Sequence, residues 1–168
     1  MTIDPPQYSW ADWQSMRGPQ PRSGLVPEFT TIRGRRVAVR QHLVLEMPFC
    51  RLVHFERDAW HTDPAVLVVA PLSGHFATLL RDMITALLSD HDLYLMDWTD
   101  AREVPVIKGD FGMEDDITYI MDCVGQVEGE VHLIGLCQSA MPALAATALL
   151  AARGGWDSAD AHALRRHD

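Results

Sequence analysis

The chain has 168 residues, 48% hydrophobic and 22% charged, which suits one domain with a sizeable core and leaves no room for wholesale disorder. A net charge of -9 excludes a nucleic-acid surface built on clustered Lys and Arg; the short basic pieces Arg33 to Arg40 and Arg165-Arg166 read as solvated faces. Cys50, Cys123 and Cys137 lack zinc-ligand spacing, and an odd number of thiols behind a polar, leader-free N-terminus points to a reduced cytoplasmic chain with no metal and no cofactor.

Residues 1–27 hold Pro5, Pro6, Pro19, Pro21 and Pro27 and read as a Pro-rich arm, in which Trp10 and Trp13 either anchor a short helix or belong to a frayed tail. From Phe29 the pattern turns to strands. Phe29 to Ile32 and Val37 to Val39 flank a turn at Arg33-Gly34 and predict a hairpin, and His42 to Glu46 and Cys50 to Phe55 continue in extended character. Asp63-Pro64 then introduces Ala65 to Ala70, an unbroken apolar run expected to be a strand buried on both faces. After the loop Pro71 to His75, Phe76 to Ser89 has helical spacing, and Asp92 to Asp97 reads as a second buried strand. Met113 to Gln126 predicts a helix with Glu114, Asp115 and Asp116 in its first turn. Glu130 to Leu136 is expected as a third strand and Ser139 to Arg153 as a third helix. The apolar part of that helix, Met141 to Ala152, falls short of the roughly 20 residues of a membrane span. Alternation of buried strands with helices predicts an α/β domain over 28–153, a doubly wound, mostly parallel sheet entered through antiparallel strands.

The chemistry is expected at Gly135-Leu136-Cys137-Gln138-Ser139, a strand, a sharp turn through a nucleophile, and a helix. That is the arrangement of the G-x-S-x-G elbow of α/β-hydrolases, here with cysteine as nucleophile and Gly135 and Ser139 as the small flanking residues. Such a fold takes one oxyanion-hole N–H from the residue after the nucleophile, Gln138, and another from the loop after an earlier strand. Leu72, Ser73 and Gly74 are the candidates for the second donor, and His75 reads as a pocket residue because it precedes the nucleophile. Asp97 and Asp100 are expected to play structural parts in their loop, and Cys50 and Cys123 to lie in the core.

Several ordered blocks resemble the intracellular polyhydroxyalkanoate (polyhydroxybutyrate) depolymerases: Pro48 to Leu52, Val66 to His75, Ala77 to Asp82, His91-Asp92, Asp97-Trp98, Asp100 to Arg102, Val104-Pro105 and the Cys137-Gln138 elbow. The resemblance covers about Gly34 to Arg153. It implies an α/β-hydrolase that cleaves ester bonds in stored poly(3-hydroxyalkanoate) or its oligomers, with Cys137 attacking the ester carbonyl and a histidine, oriented by an aspartate, as base. It also implies the storage-granule surface as a partner. Ser139 departs from the family, which commonly has a bulkier residue or proline there.

The family's later strands, with the general base and acid, find no counterpart after Cys137, and the polar segment 154–168 diverges from it. Read one base later with permitted codons, Ala159 to Asp168 spells a strand and Gly-Gly turn similar to the family's next segment. The tail is therefore expected to be a frame-shift product, and the chain an incomplete domain, inactive unless a C-terminal polypeptide complements it. Two rival readings are a polyhydroxyalkanoate synthase acting on coenzyme A thioesters, and a non-catalytic granule-binding protein.

Overall fold

A computed structural model describes residues 27–60, 62–72 and 77–153. Nearly all of the arm expected over 1–27, the tail over 154–168, and Ser73, Gly74 and His75 lie outside the described residues.

Six strands form one sheet: β1 (Phe29–Ile32), β2 (Arg35–Glu46), β3 (Cys50–Arg57), β4 (Ala65–Val69), β5 (Asp92–Trp98) and β6 (Val131–Gly135), in the order β1-β2-β3-β5-β4-β6. Three helices accompany them: α1 (Ala77–Leu87), α2 (Met113–Val124) and α3 (Ala140–Ala152). The sheet is less parallel than the strand–helix alternation predicts. Only β4–β5 and β4–β6 are parallel, whereas β1–β2, β2–β3 and β3–β5 are antiparallel. The reason is that β3 is joined to β2 by a short turn and then pairs directly with β5, so no helical crossover precedes β4.

Local chemistry sets each boundary. The β1–β2 turn places Arg33 at φ 49° and Gly34 at φ 78°, the paired left-handed conformations that match hairpin twist. The two extended pieces expected over 37–39 and 42–46 are one continuous strand, with a register shift between Leu43 and Leu45 that brings Leu45 opposite Leu52. In the first turn of α2, Asp115 accepts a hydrogen bond of 2.7 Å from the Gly112 backbone N–H, satisfying a donor the helix leaves open. Pro142 lies in the first turn of α3, where its missing N–H removes no helical hydrogen bond.

All five residues of β4 are buried, because helices cover both of its faces. Val66 and Val68 pack with Leu80 and Ile84 of α1, with Leu88 just beyond its end, and with Leu93 and Leu95 of β5. Leu67 and Val69 face the other way, into Ile120, Met121 and Val124 of α2 and Ala143 and Ala146 of α3. Cys50 and Cys123 are fully buried in this second cluster. Burial and the adjacent Cys123 thiol push the Cys50 thiol upward, which keeps it protonated and inert.

The side chain of Arg57 is fully buried at the far end of the sheet. It donates to the Leu88 carbonyl at 3.2 Å and the Ser89 carbonyl at 3.3 Å, and to Asp63 at 2.8 Å, tying the end of α1 to β3 and to the approach of β4. On the opposite flank, β6 is the edge strand among the described residues, and α3 exposes Met141, Leu144 and Leu149. No helix of the described residues is long and apolar enough to cross a membrane.

Candidate functional site

The connection leaving β4 runs through α1 on one face of the sheet, and the connection leaving β6 runs into α3 on the other. Two adjacent parallel strands whose following helices diverge in this way open a crevice at their carboxyl ends, the usual ligand position in an open α/β sheet. Cys137 stands at that point. β4 and β6 are in register up to Val69 opposite Gly135, and the Leu136 N–H donates to the Val69 carbonyl at 3.3 Å. The segment Ala70-Pro71-Leu72 therefore leaves the sheet beside Leu136 and Cys137.

The turn itself is tight. Cys137 has φ 54°, a left-handed conformation that a non-glycine residue rarely adopts, and its side chain is exposed. A 3-10 turn, Cys137–Ser139, precedes α3, so the helix expected to start at Ser139 begins regularly at Ala140. The Ser139 N–H donates to the Leu136 carbonyl at 3.0 Å. A β-carbon on Gly135 would lie 2.8 Å from the Ser139 carbonyl oxygen and 2.9 Å from both Ala140 Cα and Ala143 Cβ. Strand and helix cross so closely that only glycine fits. Strain of this kind at an exposed thiol is a common property of working sites.

Ser139 is 1% exposed, and its hydroxyl donates to the Ala70 carbonyl at 2.5 Å. The Trp98 indole N–H donates to the same carbonyl at 2.7 Å. Neither contact is legible in the spacing, since they join residues far apart along the chain. Trp98 also meets Phe111 edge-on, with ring centroids 5.5 Å apart. Phe111 in turn packs against Phe49 at 4.8 Å and Tyr119 at 5.2 Å, so an aromatic cluster supports this rim of the sheet.

The predicted site residues are thus partly gathered. Gly135, Cys137, Gln138 and Ser139 form one turn, with the Gln138 N–H in a first helical turn where such groups lack an intrahelical acceptor. Leu72 follows β4 at the same rim and is 43% exposed; its backbone N–H donates to nothing among the described residues. Ser73, Gly74 and His75 lie outside the described residues. Asp97 lies within β5 and pairs across the sheet with its register partner Arg51 of β3 at 3.2 Å, so its structural part is in the sheet and not in the loop. Asp100 chelates the Arg102 guanidinium and accepts the Arg102 backbone N–H at 3.0 Å, which holds the loop.

Among the described residues no imidazole hydrogen-bonds Cys137. His54 pairs with Asp92 at 2.8 Å and His42 with Glu56 at 2.6 Å. Asp92 begins β5, at the end of the parallel strands opposite the elbow, so the His54–Asp92 pair is remote from the thiol. Two open depressions, one beside Phe29 and Arg36 and one of about 250 Å³ over Leu43, Val53 and Leu95, do not include Cys137. No three His, Cys, Asp or Glu side chains converge as a metal site among the described residues.

Asp116 escaped the reading of the sequence as a site of interest. It is buried at 7% exposure on the inner side of α2, and its Oδ1 has no hydrogen-bond partner. Burial pushes its carboxyl up to about 6. The signal was its spacing of four from Ile120, which puts both on one face of the helix.

Chemically, the arrangement offers an exposed thiol at a strained turn, with one backbone N–H beside it and another on the neighbouring loop. Comparison with models of known families, with curated proteins and with solved structures finds no match.

Proposed function

We propose that this chain is a cysteine-nucleophile acyl hydrolase of the α/β-hydrolase type, acting on ester bonds of stored poly(3-hydroxyalkanoate), polyhydroxybutyrate or their oligomers. The observation that carries the chemical class is the elbow: Cys137 at φ 54°, exposed, over a glycine that admits no β-carbon, at the carboxyl ends of β4 and β6. The Cys137 sulfur attacks the ester carbonyl carbon, and the N–H groups of Gln138 and Leu72 stabilise the resulting oxyanion. The carbonyl–oxygen bond of the ester breaks, the alcohol leaves with the proton given up by the Cys137 thiol, and water then cleaves the thioester to release the acid and restore the thiol. The polymer substrate rests on the resemblance of the ordered sequence blocks and not on the geometry.

Incubating the protein and Cys137→Ala with a 3-hydroxybutyrate trimer tests the reading. A single 3-hydroxybutyryl adduct on Cys137 by intact mass, without sustained turnover, is the expected result, because His42 and His54 are paired with carboxylates away from the thiol. Monomer release is expected once a complementing polypeptide supplies the base and acid. Equal behaviour of the two proteins would exclude it. Release of coenzyme A from 3-hydroxybutyryl-coenzyme A without trimer cleavage would favour the synthase reaction instead.

A non-catalytic role at the granule surface is a second reading, favoured by the exposed Met141, Leu144 and Leu149 on α3. It predicts granule binding that Cys137→Ala leaves unchanged, with no hydrolysis.

A further inference from the structure

Ser139 does more at the elbow than occupy little space. We infer that Ser139 and Trp98 are positioning residues that clamp the Ala70 carbonyl and thereby hold both oxyanion donors against Cys137; this rests on the acyl-transfer reading above.

A carbonyl oxygen has two lone pairs, and Ala70 uses both: one accepts from the Ser139 hydroxyl at 2.5 Å and the other from the Trp98 indole at 2.7 Å. Ala70 is 5% exposed, so losing either donor leaves an acceptor half-satisfied away from water. Its N–H donates to the Met96 carbonyl at 3.3 Å, which fixes the peptide on its other side. Pro71 follows with a locked φ and no N–H of its own. The first N–H beyond the clamp is therefore that of Leu72. On the elbow side, Ser139 follows Gln138 directly. One buried serine thus ties together the two backbone segments from which the oxyanion hole is drawn, and the indole braces the same carbonyl from β5. Neither side chain touches the reacting atoms; each acts through the Ala70–Pro71 peptide.

Two reagents for Cys137 separate positioning from general damage. With p-nitrophenyl acetate, the sulfur bonds to the carbonyl carbon, an oxyanion forms and collapses, and p-nitrophenolate leaves while the thiol proton passes to solvent. With iodoacetamide, the sulfur displaces iodide at a methylene carbon and no oxyanion arises. Cys50 and Cys123 are buried, and a Cys137→Ala control removes any background.

In Ser139→Ala and in Trp98→Phe, acylation by the ester is expected to slow about tenfold or more, since removing an oxyanion donor outright costs about 10²–10³. Alkylation by iodoacetamide is expected to stay within about twofold. Elevated ester selectivity of the wild type relative to free cysteine, retained in both variants, would overturn the clamp and leave the acyl-transfer reading standing. Loss of both rates together would mean a merely structural role and also overturn it. A wild type no more ester-selective than free cysteine would sink the acyl-transfer reading and the clamp with it. Trp98→Phe keeps an aromatic ring in the rim cluster and carries the test if Ser139→Ala lacks the wild-type circular dichroism spectrum.

Discussion

Gly135 lies so close beneath Ser139 that a β-carbon on the glycine would come within 2.8 Å of the serine carbonyl oxygen. The obstructing atoms are largely backbone, so rotation of a side chain does not relieve the contact. Gly135→Ala is therefore expected to force the start of α3 away from β6 and destabilise the protein by at least about 1–3 kcal/mol, the usual cost of overpacking. A urea midpoint equal to the wild type's would show that strand and helix are not in this contact.

The strain at Cys137 predicts the opposite sign two residues away. A left-handed φ of 54° disfavours a residue with a β-carbon by about 1–2 kcal/mol, and the exposed thiol contributes little packing. Cys137→Gly should raise stability by about 1 kcal/mol while abolishing modification by p-nitrophenyl acetate. Thermal melting read beside the labelling assay checks both. A destabilised glycine variant would mean the thiol supports the fold.

Asp116 predicts a pH dependence. Burial raises its carboxyl from 3.8 to about 6, so the folded protein binds this proton more tightly than the unfolded chain does. Its contribution to stability is then full below about pH 4, declines as pH rises from about 4 to about 6, and is flat above that. The Asp122 carboxyl is raised by burial too and acts in the same direction. Asp116→Asn should gain about 1–3 kcal/mol over wild type at pH 7 and almost nothing at pH 4. Urea unfolding at the two pH values decides it: a gain of the same size at both would assign the effect to packing.

The guanidinium of Arg57 is fully buried while Asp63 is 31% exposed, which makes the pair asymmetric. Asp63→Ala leaves a buried cation with only carbonyl acceptors and is expected to cost about 2–4 kcal/mol. Adding Arg57→Met should recover part of that loss, because the uncompensated charge disappears with it. If the double variant is less stable than Asp63→Ala alone, the value of Arg57 lies in its hydrogen bonds to Leu88 and Ser89 instead.

How far the sequence anticipates these features depends on whether the determinant is local. β4 is legible because five consecutive apolar residues suit a strand covered on both faces, and the alternation of Val66 and Val68 with Leu67 and Val69 distributes them between the two clusters. The tight turn is legible because its small residues and its cysteine lie within five positions of one another. The register shift at Val44 is not, since nothing in Leu43-Val44-Leu45 separates a bulge from a regular strand. The double acceptor at Ala70 is equally hidden: a backbone carbonyl leaves no mark in residue identity, and its donors lie 28 and 69 residues away. The antiparallel half of the sheet is less legible for a related reason. Strand direction is set by connection geometry, and the β3–β5 pairing skips over β4 in the chain.

The pairing of β4 with β6 spans the greatest sequence separation of any strand pair in the sheet. Closing so long a loop is entropically slow, so the elbow is among the last parts of the chain to acquire its geometry during folding. Until β6 arrives, one edge of β4 is unprotected and lined with the most apolar segment of the molecule. Chain concentration during refolding should therefore govern yield, with self-association through β4 competing against the docking of β6.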